Sequence, residues 1–121
     1  MKYVCLGYIE PGKFENMGER ERNAMVDECF GYDDVLRKSG HFAGGEGLQP
    51  PSNAVTLRFR NGKVAVTDGP YAETKEQIGG ILILAANDPK HALPLMSKHP
   101  GARLGPVGIL ERHRPQTDEA L

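Results

Sequence analysis

Four side chains of this sequence have types and spacings that suit proton transfer: Asp68, Glu73, Lys75 and His99. Asp68 stands in an Asp-Gly-Pro corner, where its carboxylate can act as a general base or orient a ligand. The same carboxylate can instead accept hydrogen bonds from the backbone of that turn. His99 is the second candidate because imidazole exchanges protons near neutral pH, although a histidine at a helix end is commonly structural. We predict that Asp68 and His99 are the catalytic acid–base residues.

A polar connector separates the Asp-Gly-Pro corner from the next apolar run. Glu73 and Lys75 are two residues apart in it, so on an extended segment they share a face and can line a pocket as a carboxylate–ammonium pair. A solvated loop is the alternative interpretation. We predict that both residues bind substrate, with Lys75 stabilising charge.

Three further residues, His41, Glu46 and Arg103, are predicted to contact a substrate from other segments. Glu46 can supply a hydrogen bond to a ligand, or it can satisfy the backbone of an irregular strand. Arg103 follows His99 closely and can hold an anion. His41 stands at the start of a strand, where it can exchange protons or have a structural role.

Metal and nucleotide motifs are missing from the chain. No HxH, HxxxH or CxxC pattern occurs, and a mononuclear site built from His99, Asp68 and Glu73 is only weakly supported. The glycine-rich run at residues 44–47 is not followed by a helical pattern, so it is not a phosphate loop. We expect no metal and no cofactor.

The elements that position these residues begin with an apolar strand, KYVCLGYI, at residues 2–9. Residues 18–38 then follow a helical period, in which Met25, Cys29, Tyr32 and Leu36 recur every three or four positions. Most acidic residues of this helix, Asp33 among them, are expected to face solvent. Gly40 is the expected end of the helix.

Asn61-Gly62, between VTLRFR and KVAVT, is typical of a two-residue type I′ hairpin. The turn predicts that Phe59 lies opposite Val64 and that Leu57 lies opposite Val66. We expect this apolar face of the hairpin to point inward.

A second buried strand, ILILAA, precedes a helix that opens at Asp88-Pro89 and is expected to bury Leu93 and Met96. The last strand, residues 104–110, contains Pro106 and should lie at a sheet edge. The order β-α-β-β-β-β-α-β favours an α+β plait with both helices on one face of the sheet. Because the central strands are apolar on both faces, a monomer would expose one of them, and we expect a homodimer.

Composition limits the possible functions further. The 121 residues and 13.2 kDa form one domain, assigned to residues 1–113, followed by a polar tail at 114–121. Fifteen basic against sixteen acidic residues show no nucleic-acid footprint, and no apolar run reaches the roughly 20 residues that span a membrane. Cys5 and Cys29 are interpreted as reduced thiols, which favours the cytoplasm.

Residues 67–80, TDGPYAETKEQIGG, resemble the signature of the YCII-related (DGPF-motif) family, with Tyr71 in place of phenylalanine. KYVCLGY at the start, AGGEGLQPP at residues 43–51 and HPGAR at residues 99–103 also match, so the resemblance extends over residues 2–112. It implies a ferredoxin-like α+β fold with an antiparallel sheet that pairs, sheet against sheet, as a dimeric α/β barrel.

The resemblance implies less about activity than about the fold. Relatives are similar to small enzymes with a histidine on the first helix and an aspartate after the second as an acid–base pair. Residues 18–38 contain no histidine, and His99 stands after the second helix, so that pair cannot be transferred. Members found beside or fused to extracytoplasmic-function sigma factors imply a regulatory role.

These observations predict a cytoplasmic homodimer that binds a small polar or anionic molecule. It would be either a cofactor-independent acid–base enzyme or a non-catalytic sensor of that molecule. The alternative is a protein-interaction module that works with a sigma factor or a similar regulator.

Overall fold

The computed structural model of the protein describes residues 1–72 and 74–113. The elements follow the predicted order β-α-β-β-β-β-α-β, so the α+β prediction is confirmed. They are β1 (Lys2–Ile9), α1 (Glu19–Lys38), β2 (Phe42–Gly47), β3 (Val55–Arg60), β4 (Lys63–Asp68), β5 (Gln77–Ala85), α2 (Pro89–Ser97) and β6 (Val107–Glu111), with 3-10 turns at Pro51–Asn53 and Pro100–Arg103. The predicted tail, 114–121, and Glu73 lie outside the described residues.

Four strands form an antiparallel sheet in the order β2-β5-β1-β6. The two strands with apolar residues on both faces, β1 and β5, occupy the centre of the sheet. β6 begins directly after Pro106 and lies at an edge, as predicted. No helix in the described segments is long and apolar enough to cross a membrane.

The helices cover one face of this sheet. Leu36 of α1 and Ala92 and Met96 of α2 are buried against Tyr3, Cys5, Leu82 and Leu84 of the central strands. Asp88 caps α2 by accepting a hydrogen bond from the His91 amide at 2.9 Å. The prediction that Leu93 is buried is wrong, since its side chain is 59% exposed. Ala92 and Met96, four positions apart, share the inner side of the helix, and Leu93 follows on the outer side.

The hairpin has the predicted register, with Leu57 opposite Val66 and Phe59 opposite Val64. Asn61 and Gly62 have φ angles of 52° and 74°, as a type I′ turn requires. The expected inward orientation is wrong, because the apolar side chains of this face are between 59% and 74% exposed: Val55, Leu57, Phe59, Val64 and Val66. β3 and β4 form a separate two-stranded sheet, and no layer within residues 1–72 and 74–113 covers this face.

The second face of the main sheet is also open. Val4, on the side of β1 opposite the buried Cys5, lies opposite Leu110 of β6, which is 70% exposed. Ile81 of β5 is 37% exposed. The described part of the chain therefore leaves two apolar surfaces, the hairpin face and this sheet face, without a covering layer.

Candidate functional site

A cavity of about 580 Å³ lies between α1 and the sheet. Its floor is a row of three glycines across adjacent strands, in which Gly80 of β5 pairs with Gly7 of β1 and with Gly47 of β2. Leu82, one pleat further along β5, fills the same side with a buried side chain. Because these glycines place no side chains on the sheet, space is left between the sheet and the N-terminal half of α1.

One wall of the cavity holds a hydrogen-bonded carboxylate and imidazole. Nε2 of His99 lies 2.9 Å from Oδ1 of Asp33, and the two side chains are 14% and 19% exposed. Both residues line the cavity. A carboxylate beside an imidazole can accept, donate or orient a proton, which is the chemistry of general acid–base catalysis.

The segment after α2 fixes His99. The helix ends at Ser97, Pro100 opens the following 3-10 turn, and Nδ1 of His99 accepts a hydrogen bond from the amide of Gly101 at 3.0 Å. The ring of Tyr32 packs edge-on against the imidazole, with 5.6 Å between centroids. Tyr32 also donates from its hydroxyl to the Leu95 carbonyl and so ties α1 to α2, and burial raises the pKa of that hydroxyl.

Asp33 is the site residue that sequence reasoning missed, because it was assigned to the solvent side of α1. It stands four positions after Cys29 and three before Leu36, so helical spacing already places it on the apolar stripe. A carboxylate within that stripe was the available signal. Its partner is 66 positions away in the sequence.

Two thiols lie near this wall, and both are free. Burial raises the pKa of Cys29, with the carboxylates of Asp33 and Glu28 adding to the effect and Arg103 opposing it. Burial alone raises the pKa of Cys5 from 9.0 to about 11. Both sulfurs are therefore protonated near neutral pH and are poor nucleophiles.

The charged groups that line the cavity are of one sign. Its wall is mainly apolar, and four acidic residues contribute to its lining: Glu10, Glu15, Asp33 and Glu46, of which Glu46 lies opposite Ile81 on the sheet face away from α1. Among the described residues, no lysine or arginine lines it. Lys13 donates to the carbonyl of Leu104 near the rim, but it is not part of the wall. The cavity therefore favours an uncharged or cationic molecule over an anion.

Two of the residues predicted from the sequence, Glu46 and His99, line the cavity. Asp68 does not, since it ends β4 in the hairpin and is exposed opposite Val55. Lys75 is exposed on the connector, and its predicted partner Glu73 lies outside the described residues. The structure therefore does not bring Asp68 together with His99.

The other two predicted contacts lie outside the cavity wall. Nδ1 of His41 donates to the Ala85 carbonyl at 2.8 Å, and the ring packs against His91 at 4.9 Å, at the opposite end of the sheet from the glycine row. Arg103 is paired with Glu28 of α1 at the surface. No cluster of three or more metal-binding side chains occurs within residues 1–72 and 74–113.

The signature segment borders a second, open cavity of about 540 Å³. Pro70, Thr74 and Gln77 line it, and it shares Pro50 and Pro51 with the first cavity. The middle of the signature therefore lines this adjoining cavity, while its last residue, Gly80, forms part of the floor of the first cavity, here called the inner cavity, which also holds the carboxylate–imidazole pair.

Comparison with known proteins agrees with this architecture. The YCII-related domain matches residues 1–112, and the chain belongs to that family. An uncharacterized protein of Rhizobium meliloti (strain 1021) is 29% identical over 84 residues, which are 69% of this chain and 68% of that protein.

A solved structure shares the fold. 5-Chloro-2-hydroxyhydroquinone dehydrochlorinase from Burkholderia phenoliruptrix AC1100, in complex with 2,5-dihydroxybenzoquinone, matches with a TM-score of 0.56 and 13% identity. The match covers 96% of this chain and 97% of that chain. It confirms the ferredoxin-like α+β fold predicted from the sequence.

Proposed function

We propose that this protein binds a small molecule in the inner cavity and that the hydrogen-bonded pair of Asp33 and His99 exchanges a proton with it. The observation that carries the proposal is their 2.9 Å hydrogen bond in the wall of a largely apolar cavity of about 580 Å³. Low polarity strengthens the interaction between a substrate and these two groups. A positioned acid or base contributes about 10²–10⁴-fold to a reaction rate.

The charges of the cavity narrow the substrate class. Four carboxylates and no lining cation among the described residues favour an uncharged molecule with an acidic O–H over the anionic substrate expected from the sequence. Apolar side chains such as Phe14, Met25 and Phe30 suit a flat hydrocarbon ring. Phenols and hydroquinones combine both properties. The hydroxylated ring bound by the structural neighbour supports this choice.

A binding experiment tests the proposal. Isothermal titration with phenol and hydroquinone should give saturable binding, and benzoate and inorganic phosphate should bind more weakly. Asp33→Asn should weaken hydroquinone binding about tenfold or more, since it removes a charge-assisted hydrogen bond. Asp34→Asn is the matched control, because Asp34 is the next residue of α1 and pairs with Arg37 at the surface.

Either of two results would reject the proposal. One is stronger binding of the anions than of the phenols. The other is equal binding to the Asp33→Asn and Asp34→Asn variants.

The site roles predicted from the sequence for residues of the signature stay predictions. Asp68 and Lys75 lie outside the inner cavity, so a catalytic role for Asp68 is not part of this proposal.

A second candidate function, a regulatory module that acts through protein contacts, is favoured by the exposed apolar face of the hairpin. We propose that a second copy of this chain covers at least one of the two open apolar surfaces. A partner such as a sigma factor is the alternative if the chain is monomeric in solution.

A further inference from the structure

The hydrogen bonds of the carboxylate–imidazole pair divide its roles. Resting on the proposed function, we infer that Asp33 is the group that exchanges a proton with the substrate. His99 is a positioning residue, and the amide of Gly101 assigns it to that role.

The position of the imidazole proton follows from the Gly101 contact. A backbone N–H can only donate, so Nδ1 of His99, 3.0 Å away, must accept and carries no proton. The proton of the neutral ring is therefore on Nε2, which donates to Oδ1 of Asp33 at 2.9 Å. Both ring nitrogens have partners within the protein, and neither has a lone pair available to a substrate.

Asp33 keeps one oxygen for the cavity. Oδ1 accepts from His99, while Oδ2 receives no hydrogen bond from the residues that the structure describes. When a substrate O–H donates to Oδ2, its proton can pass to the carboxylate, and the bonding electron pair stays on the substrate oxygen. His99 remains neutral and holds Asp33 in place throughout.

The residue type at position 101 supports this division of roles. A Cβ at Gly101 would lie 3.1 Å from Nδ1 and 3.4 Å from Cε1 of His99, so a larger residue would require the ring to shift by a few tenths of an ångström. The edge of Tyr32 restricts the ring from another side. Turning the ring over would replace both nitrogens with carbons at their partners and lose both hydrogen bonds.

Nitrogen NMR of the histidine side chains tests the positioning half of the inference without any ligand. Near neutral pH, His99 should show an unprotonated Nδ1 and a protonated Nε2, with the signals assigned by their loss in His99→Gln. Asp33→Asn should retain this tautomer, because the amide oxygen of Asn can still accept from Nε2. Gly101→Ala should weaken the preference for this tautomer, because its methyl group crowds Nδ1. A protonated Nδ1 in the wild type would overturn the inference.

Visible absorbance of bound 4-nitrophenol tests the other half of the inference, that the Asp33 carboxylate is the group that contacts the substrate hydroxyl. A carboxylate facing the phenol disfavours phenolate, so at the pH of half-ionisation the wild type should lower the phenolate absorbance. His99→Gln should keep this sign, since its amide can donate to Asp33 as Nε2 does, and Asp33→Asn should abolish the decrease.

A change in phenolate absorbance that survives in Asp33→Asn would assign the contact with the phenol hydroxyl to another group and contradict the inference. Unchanged absorbance together with no binding of phenol or hydroquinone would instead reject the proposed function. The NMR result would then still decide whether Gly101 fixes the tautomer.

Discussion

At the scale of single residues, neighbours determine what each titratable group can do. Asp33 differs from other aspartates of α1 because the segment after α2 places His99 beside its carboxylate. Asp34, one position later, forms ion pairs with Arg37 and Lys38, which hold the pKa of its carboxyl below the usual range. Adjacent carboxylates on one helix thus have different partners because they face different surroundings.

Cys5 provides a residue-scale prediction about pH. Its folded pKa is raised to about 11 from 9.0, so the unfolded chain loses this proton first as pH rises. The free energy of unfolding should therefore be unaffected by this group below pH 9.0 and should fall between pH 9.0 and about 11. Cys5→Ala removes the effect. In urea denaturation the stability difference between wild type and variant should change across this window, and a constant difference would contradict the prediction.

At the scale of elements, the floor of the cavity depends on glycine. Gly7→Ala adds a methyl group that meets only Gly80 O, at 3.7 Å, so the fold should tolerate it. Alanine in a strand is favoured over glycine by about 0.5–1 kcal/mol, so the thermal midpoint should not fall. The methyl group occupies cavity space, and hydroquinone binding should weaken.

Gly105 makes the opposite prediction. A Cβ there would overlap the backbone oxygen of Tyr8, beside the hydrogen bond from the Tyr8 amide to Pro106. Gly105→Ala should lower the free energy of unfolding by about 1–3 kcal/mol or more. Thermal denaturation of the two glycine variants distinguishes a glycine that leaves space for a ligand from one required for packing. Equal stability of the two variants would contradict this assignment.

Elements were predictable from sequence where local chemistry determines them. The helical period placed α1 within one residue of its observed start, and Asn61-Gly62 fixed the hairpin register. The orientation of the hairpin was not predictable, because it depends on whether another layer packs on the hairpin, and β3 and β4 form a sheet of their own. The pairing of Asp33 with His99 was missed for the same reason, since it depends on how α1 packs against the turn after α2.

At the scale of the whole molecule, the two open apolar surfaces predict self-association. Light scattering should give twice the 13.2 kDa mass of one chain. Phe59 and Leu110 are 74% and 70% exposed, so Phe59→Lys and Leu110→Lys should not unfold the subunit. The variant that yields a monomer identifies the surface used. A 13.2 kDa wild-type mass at all concentrations would contradict the homodimer.

Ligand binding in the inner cavity is tested most directly by amide NMR of the protein titrated with hydroquinone. If hydroquinone binds there, the largest shifts should belong to the floor and wall of the inner cavity: Gly7, Gly47, Gly80, Asp33 and Gly101. The amides of the hairpin and of His41 should not move. Shifts confined to the connector around Asp68 and Lys75, with the inner cavity unchanged, would contradict binding in the inner cavity.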